Sequence, residues 1–582
     1  MIQKRLAISF LSIFFTLTLQ GQSFEKKELT ISGLEHIVFE HNAFVNDSLS
    51  ALNEKNKILQ QLYSQSFLAA SFDSMRLSNN SIQLYFTSGN KYEWLNLSNG
   101  NLSAADRLSI DLNDRLFLNR PFNKKQLLNL FERTINHYEN NGYPFASVRL
   151  DSVSINEENQ ISAALNVQRG QFYQFDSLDI RGDVNVSEQF ILHSLGLKRG
   201  MPYPENKIKQ IAKNIREIPF LEEERKHEVQ FFETSSVKLI LNLKKKKASR
   251  FDGIVGLMTD ETDGSISVTG DVDLQLLNAF NRGEKMSFQW KKLKESSQEL
   301  NLDFGIPYLF NSPFGFDFNF QLYKEDTTFL DLSSRFGVNY IFNGEENIHF
   351  FYENRRSSLL SRDRFTNSSS QLPPFSDLRI NQFGISYQIQ RLNYRYNPQR
   401  GFVIQPTFAV GKKKIEKIAA LVERNPNIYD GIEKSSSQYD GSLIAKYFIP
   451  LGKRSTILIG NRSAITYSDV LYTNELLRLG GLKTLRGFDE NSIRASSYAI
   501  FTLEYRFLLD RNSFLSIFSD GGYYEKNDMQ SYVKDTPFGV GAGINFETAA
   551  GIFSFNYAVG KQFDNPIELR AAKIHFGYTS IF

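Results

Sequence analysis

Apolar and polar residues alternate along almost the whole C-terminal part of the chain, from Phe251 onward. The alternation is regular in two late segments, FGVGAGINFET and GIFSFNYAV. Because successive side chains of a β-strand point to opposite faces, this pattern predicts strands with one apolar and one polar face. A sheet of such strands is either a soluble sandwich or a membrane barrel.

The connections between the predicted strands separate these two folds. Sixteen strands are predicted, at 252–259, 265–280, 284–294, 297–307, 313–325, 329–342, 345–356, 378–391, 400–412, 435–452, 454–467, 497–511, 513–524, 534–547, 550–560 and 569–582. Short connections follow mostly even-numbered strands, whereas the long ones, at 357–377, 413–434 and 468–496, follow odd-numbered strands. An even strand number with short turns at one end and long loops at the other is typical of outer-membrane barrels. The sequence therefore predicts a sixteen-stranded antiparallel transmembrane β-barrel over residues 249–582, with its N-terminal side in the periplasm.

The residues before the barrel mix helices with strands in a repeating order. Helical periodicity at 58–67, 123–140 and 206–217 is followed each time by two strand-like runs, which predicts an internal repeat of about 75 residues. Three α+β modules are predicted, at 23–90, 91–170 and 171–248. One module is small for an enzyme, whereas three in tandem suit an interaction arm.

The N-terminus is typical of an exported protein. Lys4 and Arg5 precede an apolar run that ends at Leu19, and polar residues follow, so residues 1–22 are predicted to be a signal peptide. The chain has no cysteine, which excludes disulfides and thiolate metal sites, and a formal net charge of +3, which argues against a nucleic-acid binder. No motif of a nucleophile elbow or a zinc protease occurs, so we expect no enzyme activity, no metal and no cofactor.

Several motifs of the C-terminal half, taken in order, resemble a known superfamily. They are NAFNRGEKMSFQW, PYLFNSPFGF, GGLKTLRGF, TLEYRFLL and FSDGG. The chain resembles the BamA and TamA superfamily of outer-membrane assembly proteins, of the bacterial surface antigen type, and its size is similar to TamA. The resemblance implies periplasmic POTRA domains (β-α-α-β-β) ahead of the sixteen-stranded barrel.

The resemblance also implies a site inside the barrel. In the family, the long loop that carries the Arg-Gly-Phe motif, here Arg486, Gly487 and Phe488, folds into the barrel, where its arginine meets acidic groups. The alternation independently places Glu504 and Asp520 on the lumen face, and a guanidinium suits bidentate pairing with carboxylates. We call Arg486, Gly487 and Phe488 the loop latch. The alternative is a solvated Arg486 and two carboxylates that line a wet pore.

The last strand resembles a signal for barrel assembly. It places Phe576, Tyr578 and the terminal Phe582 on one face, as in barrel proteins that the assembly machinery recognises. An ordinary last strand is the alternative interpretation.

The function implied by the resemblance is assembly or translocation of proteins at the outer membrane, without a nucleotide. The POTRA arm would bind unfolded outer-membrane or secreted client proteins by strand addition, the barrel would contact outer-membrane lipids, and a periplasmic or inner-membrane partner would bind the POTRA domains. In the family, the first and last barrel strands meet at a weak seam that opens. The alternatives are a two-partner secretion pore and a passive porin or receptor. A basic run, Lys244 to Lys247, is interpreted as a solvated junction, with a lipid-headgroup or nucleic-acid contact as the alternative.

Overall fold

The structure, a computed structural model, describes residues 26–259, 266–294, 297–361, 372–394, 397–548 and 551–581. The predicted signal peptide and the terminal Phe582 lie outside the described residues. The chain divides into two compact units, one formed by Met1–Gln174 with Pro202–Asn206 and the other by Phe175–Met201 with Lys207–Phe582. Within the described residues, none of the helices combines the length and the apolar character needed to cross a membrane.

The first unit contains two α/β modules, each with a four-stranded sheet. The first module consists of β1 (Lys27–Ser32), β2 (Phe44–Val45), α1 (Ser48–Ser64), β3 (Ser71–Leu77) and β4 (Ser81–Thr87). The second consists of β5 (Glu93–Ser98), α2 (Ala104–Ser109), β6 (Arg120–Pro121), α3 (Lys124–Asn140), β7 (Ser147–Ile155) and β8 (Gln160–Gln168). The sheet orders are β2-β1-β4-β3 and β6-β5-β8-β7, with β1 parallel to β4 and β5 parallel to β8.

The third module lies between these sheets and the barrel in sequence. It consists of β9 (Gln174–Gly182), α4 (Glu188–Ser194), α5 (Glu205–Lys209), α6 (Ile211–Glu217), β10 (Leu221–Phe231) and β11 (Ser236–Lys245), with the sheet order β10-β11-β9. In all three modules the last strand lies inside the sheet, flanked on both sides. The predicted α+β fold of this part of the chain is confirmed. The boundaries at residues 90, 170 and 248 stay predictions; they lie in the connections between the three sheets and the barrel.

The helices differ in detail from their predicted positions. α1 begins ten residues before the predicted 58–67, because the Asp47 carboxylate accepts a hydrogen bond from the Ser50 N–H at 2.7 Å and caps the helix. The helix predicted over 206–217 is interrupted at Gln210, whose N–H donates to the Lys207 carbonyl three residues earlier, at 3.2 Å. In the described part of the first module, α1 is the one helix. Its Gln61 side-chain amide forms two hydrogen bonds with the backbone of Glu40, in the connection that precedes the helix.

The C-terminal part of the second unit is a closed antiparallel barrel. Its strands are β12 (Arg250–Thr259), β13 (Ile266–Leu277), β14 (Lys285–Lys294), β15 (Ser297–Ile306), β16 (Phe314–Glu325), β17 (Phe329–Asn343), β18 (Glu346–Leu359), β19 (Asp377–Leu392), β20 (Gly401–Glu416), β21 (Ser435–Pro450), β22 (Ser455–Tyr467), β25 (Ser497–Leu508), β26 (Phe514–Asn527), β27 (Tyr532–Asp535), β28 (Phe538–Glu547), β29 (Ile552–Lys561) and β30 (Lys573–Ile581). β27 and β28 pair successively with β26, so the barrel has sixteen strand positions, as predicted.

One strand is broken where the sequence predicted continuity. The run predicted over 534–547 is divided into β27 and β28 around Pro537. Proline has no N–H with which to donate a hydrogen bond to the neighbouring strand. At this break, the Gly522 N–H of β26 donates to the Pro537 carbonyl oxygen at 3.2 Å.

The two ends of the barrel differ in their connections. We call the end with short connections the turn end and the end with long ones the loop end. At the loop end, the connection after β20 contains a short helix, α7 (Ala419–Arg424), and the connection after β22 contains a hairpin of β23 (Leu477–Leu479) and β24 (Ile493–Ala495). At the turn end, the third module contacts the barrel: the His193 ring stacks on Tyr308 at 5.1 Å, and the Ser187 N–H donates to the Asn281 carbonyl at 2.7 Å.

The barrel closes through a short contact between its first and last strands, which we call the seam. Two residue pairs join β12 to β30 in the described residues, Arg250 with Ile581 and Phe251 with Ser580. Ten pairs join β12 to β13, and seven join β29 to β30. In the described part of the barrel wall, the seam is therefore the strand contact with the fewest paired residues.

Candidate functional site in the barrel lumen

The long loop after β22 folds back against the inner wall of the barrel. Its hairpin, β23 and β24, brings the residues between them to strands β25 and β26. Apolar loop side chains pack there on Ile500 and Tyr524 of the wall; they belong to Leu479, Leu485, Phe488, Ile493 and Ala495. Burial of this apolar cluster holds the loop in place independently of its charged residues.

Arg486 lies between the two carboxylates that the alternation places in the lumen. Its Nε and Nη2 donate to the two oxygens of Asp520 at 2.7 and 2.8 Å, and its own backbone N–H donates to Asp520 at 3.1 Å. Its Nη1 donates to Glu504 Oε2 at 2.5 Å. The residues predicted as a cation and its acidic partners are thus brought together by the structure.

Further groups complete the charge balance of this site. Arg506 Nε donates to the second oxygen of Glu504 at 2.7 Å, and Thr502 donates to Asp520 at 2.8 Å. The Arg486 guanidinium also lies 3.5 Å from the centroid of the Phe518 ring. Two arginines therefore neutralise two carboxylates whose exposed fractions are 5% for Glu504 and 2% for Asp520.

Glycines allow the loop backbone to approach the wall closely. Gly487 has φ +94°, which other residues rarely adopt, and a Cβ there would lie 2.7 Å from the Val559 carbonyl oxygen. A Cβ on Gly539 of β28 would lie 2.0 Å from the Arg486 carbonyl oxygen, and one on Gly560 of β29 would lie 2.8 Å from the Phe488 ring. The loop latch thus lies against two wall strands where the absence of side chains makes room for it.

The tip of the loop reaches both sides of the seam. Asp489 pairs with Lys573 of β30 at 2.8 Å, and Glu490 pairs with Lys291 of β14 at 3.6 Å. The seam lies between β30 and β12, and β14 is two strands beyond β12. The loop therefore connects the last strand with the first strands from inside the barrel.

Two further charged clusters fix the base of the loop at the loop end, and the sequence interpretation did not find them. Lys413 of β20 and Glu475 form a fully buried ion pair at 2.9 Å. Glu475 also accepts the backbone N–H of Tyr472 at 2.8 Å. The sequence offers little signal for this pair, because Lys413 is the first residue of the connection predicted over 413–434, whereas the structure extends β20 to Glu416.

The second cluster centres on Asp331 of β17. Asp331 accepts hydrogen bonds from Arg355 and from the loop residue Arg478, both at 3.0 Å, and the Arg478 guanidinium stacks on Tyr323 at 3.3 Å. Arg355 donates further to the Asn474 carbonyl at 2.7 Å. The loop is thus held by buried charges at its base as well as at the latch.

The predicted C-terminal signal lies partly within the described residues. Phe576 projects from β30 with about half of its surface exposed, and the Tyr578 ring lies 4.7 Å from the Phe553 ring of β29. Phe582 lies outside the described residues. A role in recognition stays a prediction. Among the residues that the structure describes, no group of three histidine or acidic side chains is placed to hold a metal ion.

The family comparison concerns mainly the barrel, whereas the solved structures cover most of the chain. Residues 278–582, just over half of the chain, match the family model described as the Omp85 superfamily domain. Among solved structures, CdiB from Escherichia coli is similar with a TM-score of 0.55 at 14% identity, covering 91% of this chain and 98% of CdiB. CdiB from Acinetobacter baumannii is similar with a TM-score of 0.52 at 13% identity, covering 92% and 98%.

A third solved structure is BamA from Haemophilus ducreyi lacking POTRA domains 1–3, with a TM-score of 0.45 at 14% identity, covering 84% of this chain and all of that one. A search among curated proteins gave no match. At these identities the two CdiB structures show that the fold is shared.

Proposed function

The chain belongs to the Omp85 superfamily, and from this premise we propose that it inserts or translocates client proteins at the outer membrane. Its barrel lies in that membrane, with the turn end and the three POTRA-like modules on the periplasmic side. The modules capture client strands, and the barrel seam templates their insertion or release.

The observation that carries this proposal is the seam with its two residue pairs. Inside a bilayer every backbone N–H and C=O needs a partner, which is why membrane barrels close completely. A seam with two pairs lets β12 and β30 separate at low cost, compared with the ten pairs between β12 and β13. Separated edges offer unpaired backbone groups, to which a client strand can add.

The loop latch holds wall strands β25 to β29 together while the seam opens. Arg486 holds the loop on β25 and β26 through buried charges, whereas Asp489 reaches Lys573 through an ion pair whose side chains are 69% and 35% exposed. Exposed ion pairs contribute little stability, and buried ones are costly to break. Because β30 stays paired to β29 and β14 lies beyond the seam, seam opening breaks the contact of the loop tip that crosses it, Glu490 with Lys291, and leaves the Arg486 contacts in place.

The POTRA-like modules supply strand edges for capture. β7 forms an edge of the sheet in the second module, and Val153 and Ile155 on it are more than half exposed. An extended client segment can pair with such an edge through backbone hydrogen bonds, which tolerate many sequences.

Depletion of the protein, followed by quantitative proteomics of purified outer membranes, tests this function. We expect the loss of barrel proteins from the membrane and their accumulation in the periplasm, restored by a plasmid copy. Loss confined to a few secreted proteins would favour the two-partner secretion pore. An unchanged protein content with altered solute permeability would contradict assembly and leave a passive pore.

A further inference from the structure

A cavity of about 650 Å³ lies where the third module joins the barrel. Its walls include the end of β11, the connection to β12, and the turn between β13 and β14. Three consecutive lysines line it: Lys245, Lys246 and Lys247. The cavity thus combines a concentrated positive charge with space for a ligand.

The backbone of this basic segment is fixed at both sides. The Lys245 N–H donates to Asp183 Oδ1 at 3.1 Å, and the Lys246 N–H donates to the Phe220 carbonyl at 3.0 Å. Asp183 also lines the cavity, and it contributes one negative charge against the three lysines. Within the described ranges, none of the three ammonium groups has an ion-pair partner, so their charge is available to a ligand.

The cavity lies at the level where the barrel meets the membrane surface. Ser249 and Leu277, at the turn-end limits of β12 and β13, form part of its wall. In the short turns beside it, Phe280 is 65% exposed and Phe310 is 95% exposed. Exposed aromatic rings at the rim of a membrane barrel lie at the headgroup layer. The three lysines are therefore placed at the depth of lipid phosphates.

We propose that this cavity binds the phosphate of a phospholipid headgroup from the adjacent membrane leaflet. Lys245, Lys246 and Lys247 supply the ammonium groups, and lysine binds phosphate as a compact point charge. The bound lipid lies beside the first residues of β12, at the base of the seam. The proposal rests on the membrane location of the barrel and is independent of client assembly.

Native mass spectrometry of the full chain in a non-ionic detergent tests this site, with added phosphatidylglycerol as the probe. The variant K245Q/K246Q/K247Q removes the charges, and K245R/K246R/K247R keeps them. Lys124, Lys125 and Lys226, which are also exposed, provide the control K124Q/K125Q/K226Q. A shift in electrophoretic migration on heating verifies that each variant has a folded barrel.

We expect one retained phosphatidylglycerol in the wild type, in the arginine variant and in the control. Retention by K245Q/K246Q/K247Q should fall by about tenfold or more, because each lysine near a membrane surface adds to the attraction for anionic lipid. Equal retention by this folded variant and the wild type would overturn the proposal. Displacement of the lipid by inorganic phosphate at the same concentration would show that the site takes free phosphate, and would overturn the lipid assignment.

Discussion

Two neighbouring parts of the barrel wall hold the same internal loop in different ways. On the wall of β25 to β29, the loop contributes Arg486 to a buried network, and its backbone lies against glycines. On the two sides of the seam, the loop contributes Asp489 to an ion pair with β30 and Glu490 to an ion pair with β14, both of partly exposed side chains. The difference shows that one chain segment is anchored by buried charges to one part of the wall and by partly exposed charges to the strands on either side of the seam.

The largest effect should come from Arg486→Ala. The substitution leaves Asp520 and Glu504 buried without their main cation, and we expect the free energy of unfolding to fall by about 3–5 kcal/mol. Denaturant unfolding of the purified chain in detergent measures this loss. Lys453→Ala, in an exposed short turn, should leave stability unchanged. A loss below about 1 kcal/mol for Arg486→Ala would instead support a solvated arginine.

A smaller loss should follow from Gly539→Ala. The new methyl group would lie 2.0 Å from the Arg486 carbonyl oxygen, so the loop must move off β28. Such overpacking costs about 1–3 kcal/mol. Gly305→Ala is the matched control, because the nearest atom to its Cβ is 3.9 Å away. Thermal unfolding midpoints should separate the two variants, and equal midpoints would show that the loop does not depend on this close approach.

The contact between the third module and the barrel should depend on pH. Burial, together with the neighbouring Glu345, raises the pKa of Glu217 to about 7, although Lys213 opposes the shift. Below pH 7 the folded state then binds more protons than the unfolded state, whose carboxyl has an ordinary pKa. Stability should therefore decrease as pH rises from about 4.5 to 7 and stay level above that range.

Thermal unfolding between pH 5 and pH 8 measures this dependence. Glu217→Gln, which is uncharged at every pH, should reduce the slope, whereas Glu158→Gln on an exposed turn of the second module should keep it. An unchanged slope in Glu217→Gln would assign the pH dependence to other groups.

The smallest effect on stability, and the most local one, should come from Asp489→Asn. The Asp489 to Lys573 pair is partly exposed, so we expect a loss of about 0–1 kcal/mol. Hydrogen exchange should nevertheless become faster in β12 and β30 and stay unchanged in β25 and β26. Asp179→Asn removes a comparably exposed pair with Arg181 in the third module and should not affect the seam. Equal exchange at the seam in both variants would show that the loop tip does not hold it.

Much of this fold follows from the strand pattern of the sequence. Alternation places Phe501 and Leu503 outward and Glu504 inward, and the structure has the first two more than half exposed and the third buried. The face of a strand on which a side chain lies depends only on the local alternation. The acidic side chains that face the lumen can therefore be identified from the sequence. The sixteen strands follow for the same reason.

The rest depends on contacts that leave no local pattern. The partner of Lys413 is 62 residues away in a loop, and the partner of Asp489 is 84 residues away in the last strand. The two loop residues, Glu475 and Asp489, belong to no periodic pattern that would predict their positions. The short helix α7 and the division of the helix at Gln210 were also missed, because their local sequences differ little from those around them.

A reversible crosslink across the seam tests the opening of the barrel most directly. The chain has no cysteine, so Phe251→Cys with Ser580→Cys places one disulfide between the paired residues of β12 and β30. Phe251→Cys with Leu274→Cys instead links β12 to β13, with which it forms ten residue pairs, and serves as the control. In cells depleted of the wild-type protein, we expect the oxidised seam pair to abolish barrel assembly at the outer membrane, and a reductant to restore it, while the control pair stays active under both conditions. Full activity of the chain with a verified disulfide across the seam would contradict the opening of β12 from β30 as the basis of its function.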